Sequence, residues 1–316
     1  MFLSTQAKTL VKTKYVELIC VALLILLIIM TPPEWERMEF LFILLIPIVL
    51  SAKHFCFEYD KLKKSIVYTG IFILTSLFSY ALHIWQLTWE LTHPNGLFGW
   101  QIKIDPLLYA IPFNDGMWLR QFSTPVLNDL FVLIYAHGFV LCLFALVIYF
   151  ILSGQPHKIV HAMFAGHFVQ YLLILPFHFW VDGHQVWLIQ NQVAGTQFAD
   201  PIEGYRSETE PIVPSLNHVF PSMHTSIATV VIMMALREAA RPVKWFFVSL
   251  NAAIIISTVY LGIHWVVDVL GGIIFGIFTF KLAERIMNIT WIKNQLRLEK
   301  DRAVMTTETH SNQLSQ

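Results

Sequence analysis

Residues 220–224 read Phe-Pro-Ser-Met-His, and residues 257–268 read Ser-Thr-Val-Tyr-Leu-Gly-Ile-His-Trp-Val-Val-Asp. Each stretch runs directly into an apolar segment. An ionisable side chain within hydrocarbon is costly, so a chain that keeps a serine, two histidines and a carboxylate where apolar helices begin is expected to use them. Phosphate chemistry suits that set. Pro221 fits the first turn of a helix. The free backbone N–H groups that follow, Met223 among them, join the positive end of the helix dipole in an anion site that Ser222 supplements. His224 falls in the same turn, placed to protonate a leaving oxygen. His264 and Asp268 are four apart and share a helix face, so the carboxylate can hold one ring nitrogen while the other faces phosphorus as a nucleophile. Taken singly, a His-x3-Asp pair is more often an ordinary polar contact, and Pro-Ser-x-His is weaker still. Together, at helix starts on one membrane face with one span between them, they read as one site.

Composition sets the environment. Apolar residues make up 56% of the 316 residues and charged residues only 13%, and the mean hydropathy is +0.60. That balance belongs to an integral membrane protein. The formal net charge of zero argues against nucleic acid as a partner, which requires a basic surface. Cys20 and Cys142 fall in apolar runs and Cys56 in a basic loop, without the paired spacing of a zinc site or a disulfide framework.

Apolar runs predict membrane spans near Val16 to Met30, Glu39 to Ala52, Ile66 to Leu87, Val126 to Leu152, Ile159 to Phe179, Pro221 to Leu236, Lys244 to Leu261 and His264 to Phe280. The expected fold is therefore all-α, a polytopic bundle of about eight transmembrane helices with a six-helix core. Residues 1–65 would hold an N-terminal pair of spans, 66–287 the core, and 288–316 a polar cytoplasmic tail. The first two spans are short and carry Glu17, Glu39 and Pro47, which also suits a tilted pair or re-entrant hairpin. Lys8, Lys12 and Lys14 precede the first, but Thr31-Pro32-Pro33 follows it where a cleavage site would have small residues, so it reads as a retained signal anchor.

Lys and Arg gather on the cytoplasmic side of short loops. With the N-terminus inside, seventeen of the 21 basic residues fall on cytoplasmic segments, leaving Arg37, Lys103, Arg120 and Arg206 outside. Both termini are then expected in the cytoplasm, and both motifs at the periplasmic, lumenal or extracellular face. Two long outer loops adjoin them. Trp89 to Pro125 mixes aromatic residues, aspartates and prolines as a headgroup-layer segment would, and Val181 to Val219 is more polar. Each is either a plain connection or a substrate platform beside the site.

The two motifs resemble the second and third signatures of the type 2 phosphatidic acid phosphatase superfamily, Pro-Ser-Gly-His and Ser-Arg-x5-His-x3-Asp, carried on six membrane helices. The resemblance covers about Ile66 to Phe280, with specific residues from Pro221 to Asp268. It implies His264 as the nucleophile that becomes phosphohistidine, Asp268 as its orienting partner, His224 as the acid for the leaving group, and Ser222 with the neighbouring amides of Met223 as phosphate ligands. No cofactor is implied, and the expected partner is a phospholipid or lipid phosphate within membrane lipid.

Met223 stands where that pattern has Gly, Thr258 where it has Arg, and the first signature, Lys-x6-Arg-Pro, is missing. These departures resemble the inositol phosphorylceramide synthase branch, which adds two spans and moves a phosphorylated headgroup to a lipid hydroxyl instead of water. Among the four outer basic residues, Arg206 is the first candidate for the missing phosphate cation and Arg120 the second. A metal-dependent membrane hydrolase or a transporter is the alternative, because His178, Asp182, His184 and His218 also gather outside. His137 and His167, at mid-span, read as helix-packing histidines.

Overall fold

The computed structural model describes residues 46–50, 52–55, 58–93, 95, 96, 99–203 and 216–289. The expected N-terminal pair of spans, apart from 46–50 and 52, and the tail from 290 onward lie outside them, as does Arg206.

The described chain is a helix bundle: α1 (Tyr59–Thr92), α2 (Asp105–Ala110), α3 (Pro125–Leu152), α4 (Pro156–Met163), α5 (Val169–Trp180), α6 (Val186–Ala194), α7 (Met223–Glu238), α8 (Arg241–Tyr260) and α9 (Val266–Met287). A π-helical turn, Phe164–Phe168, joins α4 to α5. Four helical stretches are long and apolar enough to cross a membrane: Tyr59–Thr92, Pro156–Trp180, Arg241–Tyr260 and Val266–Met287. Pro125–Leu152 makes a fifth if its halves, bent by 60°, are one span. The described residues therefore give four or five spans, fewer than the six expected there. The difference lies at Pro221 to Leu236, which folds as the 16-residue α7. At 1.5 Å per residue α7 is about 24 Å long, short of the roughly 30 Å of hydrocarbon.

What α7 lacks in length it makes up in burial. Thr225, Ser226, Ile227, Ala228, Thr229, Val230 and Val231 are all buried, the pattern of a helix enclosed by others on every side. Its neighbours contribute Phe72 from α1, Leu146 and Phe150 from α3, Ile159 from α4, Phe247 and Ile254 from α8 and Phe280 from α9 to one apolar core.

The packing of α7 on α9 depends on small residues, since only these let two helix backbones approach closely. A methyl group at Gly272 would sit 2.6 Å from the Ser222 carbonyl oxygen, and one at Gly276 2.5 Å from that of Ser226. This seam brings the start of α7 against the start of α9, where the Ser222 amide donates to the Asp268 carbonyl over 3.2 Å. At the opposite end, Lys158 pairs with Glu238 at 2.6 Å and Arg237 with Glu284.

The two long loops pair with each other. Their strands β1 (Ile102–Lys103) and β2 (Val181–Asp182) run parallel, with Ile102 opposite Val181 and Lys103 opposite Asp182. The layer they form ties down the N-terminus of α9, whose first amides have no partner within the helix. Asn114 is buried and supplies two acceptors: its carbonyl to the Val266 amide at 2.8 Å and its side-chain oxygen to the Val267 amide at 2.9 Å. Phe113 turns through the left-handed region, with φ of 61°, to present it.

Candidate active site

The turn from Leu261 to Trp265 carries His264 between α8 and α9. Gly262, at φ of 70°, makes the reversal, which favours a residue without Cβ. The Thr258 carbonyl accepts from the amides of both Ile263, at 3.1 Å, and His264, at 3.0 Å. Thr258 turns its own hydroxyl to the Ile255 carbonyl at 2.7 Å, so the position where the family pattern has Arg is a buried helix-internal contact.

His264 is 4% exposed. Its Nδ1 lies 3.0 Å from the Val219 carbonyl oxygen and 3.7 Å from Asp268 Oδ2. A carbonyl oxygen can only accept, so Nδ1 carries the hydrogen and Nε2 holds the lone pair. Asp268 Oδ2 is itself engaged, accepting from the Trp265 amide at 2.9 Å. The carboxylate thus caps α9 as well as standing beside the ring, and spacing alone suggests only the second.

His224, on the first turn of α7, is sandwiched by Tyr135, 4.2 Å between ring centroids at 20°, and Phe139, 4.1 Å at 52°. Its ring centroid is 6.2 Å from that of His264. Both histidines, with Met223, line a cavity of about 370 Å³. Ser222 is fully buried and caps α7, its hydroxyl accepting from the Thr225 amide at 3.3 Å. It is not among the residues lining the cavity.

No lysine or arginine among the described residues lines that cavity. Arg120 lies behind the His264 turn, its Nη2 donating to the Leu261 carbonyl at 2.7 Å and its guanidinium over the Phe198 ring at 4.3 Å. Burial draws its pKa down, opposed by Tyr260 and Asp115. Arg120 therefore holds the turn.

The other wall of the cavity is polar, and the sequence shows it only in part. His178 and His218 stack at 4.3 Å between ring centroids. His218 Nε2 pairs with Glu90 Oε2 at 2.7 Å, and Gln86 donates to Glu90 Oε1 at 2.9 Å. Gln86 and Glu90, four apart within an apolar run, are the signal that sequence reasoning missed. The rest of that expected polar set goes elsewhere: His184 bonds Asp105 at 2.7 Å, and its pKa is raised by that hydrogen bond. Among the described residues no group of three His, Cys, Asp or Glu converges as metal ligands would. His167 lines the cavity and packs edge-on to Phe72, whereas the side chain of His137 lies outside what is described.

A family model, that of the PAP2 superfamily, matches residues 111–282, more than half the chain and both helix starts. The chain belongs to the PAP2 superfamily. The family is one of phosphatases, and the helices long and apolar enough to cross a membrane make the chain an integral membrane protein. Over 67 residues it is 33% identical to the uncharacterized protein MJ0662 of Methanocaldococcus jannaschii, a match covering 21% of this chain and 27% of that one. No solved structure matches the chain.

Proposed function

We propose that this PAP2 superfamily member transfers phosphoryl groups from a lipid through a phosphohistidine at His264, on the extracytoplasmic face of the membrane. The observation that carries this reading is the Val219 carbonyl on His264 Nδ1, which leaves the Nε2 lone pair free to attack. Nε2 forms a bond to phosphorus as the bond to the leaving oxygen breaks, and His224, across the cavity, gives that oxygen a proton. In the second half-reaction a hydroxyl attacks phosphorus, the N–P bond breaks and the hydroxyl proton passes to His224. Asp268 stabilises the ring as it gains positive charge, and the start of α7, with Ser222 and the amide of Met223, is the proposed place for phosphate oxygens. Arg206 is the proposed cation.

The acceptor is taken to be a lipid or sugar hydroxyl, as in the inositol phosphorylceramide synthase branch. The Thr258 replacement and the missing first signature support this. Hydrolysis, with water as acceptor, is the second reading and uses the same intermediate. Pocket shape and water exclusion decide between them. Purified protein incubated with labelled phosphatidic acid, lipid diphosphate and phosphatidylinositol tests both: an acid-labile phosphoenzyme with a new phospholipid supports transfer, and free phosphate alone supports hydrolysis. Absence of turnover and of phosphoenzyme on every lipid would refute both.

Orientation has its own test. Phe113 is 79% exposed, on the layer beside the site, and Arg241 opens α8 at the other end. In a cysteine-free background, Phe113→Cys should react with an impermeant thiol reagent on intact cells and Arg241→Cys only after permeabilisation. The reverse pattern would place the site in the cytoplasm.

A further inference from the structure

We propose that the polar wall facing His224 and His264 is a second subsite, built for an uncharged hydroxyl-bearing group held beside the phosphate. The inference names a substrate feature and rests on the phosphate reading of the same cavity.

Gln170 carries it. The residue is 1% exposed and lines the cavity, yet neither its amide nitrogen nor its amide oxygen has a hydrogen-bond partner. A buried amide left in that state opposes folding, so its retention points to a ligand that satisfies both atoms. The amide nitrogen donates and the amide oxygen accepts. Phosphate oxygens mainly accept and an ammonium only donates, whereas a hydroxyl does both.

The adjoining groups agree with a neutral ligand. Tyr171 donates to Gln86 Oε1 at 3.1 Å, and Gln86 in turn donates to Glu90 at 2.9 Å. Glu90 pairs with His218 at 2.7 Å. That chain fixes the wall from behind, through the lining residues Tyr171 and His218, and no Lys or Arg among the cavity-lining residues supplies positive charge for a second anion. The subsite also adjoins the reacting centre through the backbone, since Val219, next to His218, provides the carbonyl that holds His264. A hydroxyl on the wall would then stand beside a phosphate at His264.

Two sources supply such a hydroxyl: the headgroup of the donor lipid, or the acceptor alcohol. Binding is measured first, without turnover, using glycerol 1-phosphate and propyl phosphate, which match in charge and differ in their hydroxyls. The wild-type protein should bind the glycerol ester about tenfold more tightly, and Gln170→Met should bring the two within about twofold. Equal affinities in the wild type, with both ligands bound, overturn the subsite and leave the phosphate reading standing. Binding of neither overturns both. Gln170→Met should also raise the thermal midpoint of the ligand-free protein, because it removes an unsatisfied amide. A lowered midpoint would mean that Gln170 is bonded within the fold, and would overturn the proposal.

Vesicle assays then assign the source. A preference for phosphatidylglycerol over phosphatidylmethanol, lost in Gln170→Met, places the donor headgroup on the wall. With phosphatidic acid as donor, preferential capture by glycerol over 1-propanol, lost in the same variant, places the acceptor there. Discrimination in neither arm overturns the subsite.

Discussion

His264 is held by Val219: the ring Nδ1 lies 3.0 Å from that carbonyl oxygen and 3.7 Å from the nearer oxygen of Asp268. The backbone thus sets the tautomer, and the carboxylate has a second employment on the Trp265 amide at 2.9 Å. The two duties of Asp268 can be separated by substitution.

Asp268→Asn keeps an oxygen for the Trp265 amide and loses the charge. It should cost on the order of 10- to 100-fold in turnover, the range for a residue that acts through another, with little change in thermal midpoint. Asp268→Ala leaves the buried amide unpaired and should also lose about 1–3 kcal/mol of stability. His264→Asn should abolish both turnover and phosphoenzyme. If Asp268→Asn matched His264→Asn in full, the Val219 carbonyl would not be sufficient to set the tautomer.

His224 differs in kind from His264. Without its acid the leaving group departs poorly, so His224→Ala should lose about 10²- to 10⁴-fold on a lipid substrate. It should recover part of that loss on a phosphate ester with a good leaving group, such as a nitrophenyl ester. The His264 variant should recover none. Equal losses on both substrates in both variants would refute the assigned roles.

The meeting of the two motifs is legible in the sequence because an ionisable group at an apolar helix start has few bland explanations. His224 and His264 do line one cavity. What holds them there is not legible. Asn114 reaches residues 266 and 267 and Arg120 reaches residue 261, contacts across more than 140 positions that no local pattern encodes. The expected span count is not reached among the described residues because α7, apolar enough to suggest a span, has only 16 residues, a length that runs between the two ends of the bundle only inside a jacket of neighbouring helices. The motif suggests Ser222 as a phosphate ligand but not the N-cap of α7 that its hydroxyl oxygen also forms.

Gly272 tests whether the α7–α9 seam sets the site. Its missing Cβ would fall 2.6 Å from the Ser222 carbonyl oxygen and 2.9 Å from Thr225 Cβ, and backbone cannot yield as a side chain can. Gly272→Ala should cost about 1–3 kcal/mol by overpacking and lower turnover, because it pushes His224 away from His264. Gly70, on α1, has nothing within 4 Å of the place a methyl group would take and serves as control: Gly70→Ala should leave turnover unchanged and raise stability by about 0.4–1 kcal/mol. Parallel behaviour of the two variants in thermal melts would mean that the seam is not tight.

The loop layer over the start of α9 should show a pH dependence traceable to one contact. His184 Nδ1 meets Asp105 Oδ2 at 2.7 Å, with Asp182 at 3.9 Å, and the hydrogen bond to Asp105 raises the histidine pKa above its ordinary 6.5. A group whose folded pKa is raised contributes stability in full below its unfolded value and loses it as pH rises through the folded value. The contribution should therefore be complete below about pH 6.5 and fade on the alkaline side. Asp105→Asn keeps an acceptor for the His184 amide, which donates to Asp105 Oδ1 at 2.7 Å, and removes the charge that favours protonation. The difference in thermal midpoint between wild type and Asp105→Asn should be largest in mildly acidic buffer and shrink toward alkaline pH. The contact also steadies the site, because the His184 carbonyl accepts from the Trp265 indole at 2.9 Å, next to His264. Turnover of Asp105→Asn should consequently fall most where its stability deficit is greatest. A midpoint difference that grows with pH would show that His184 is not the titrating group.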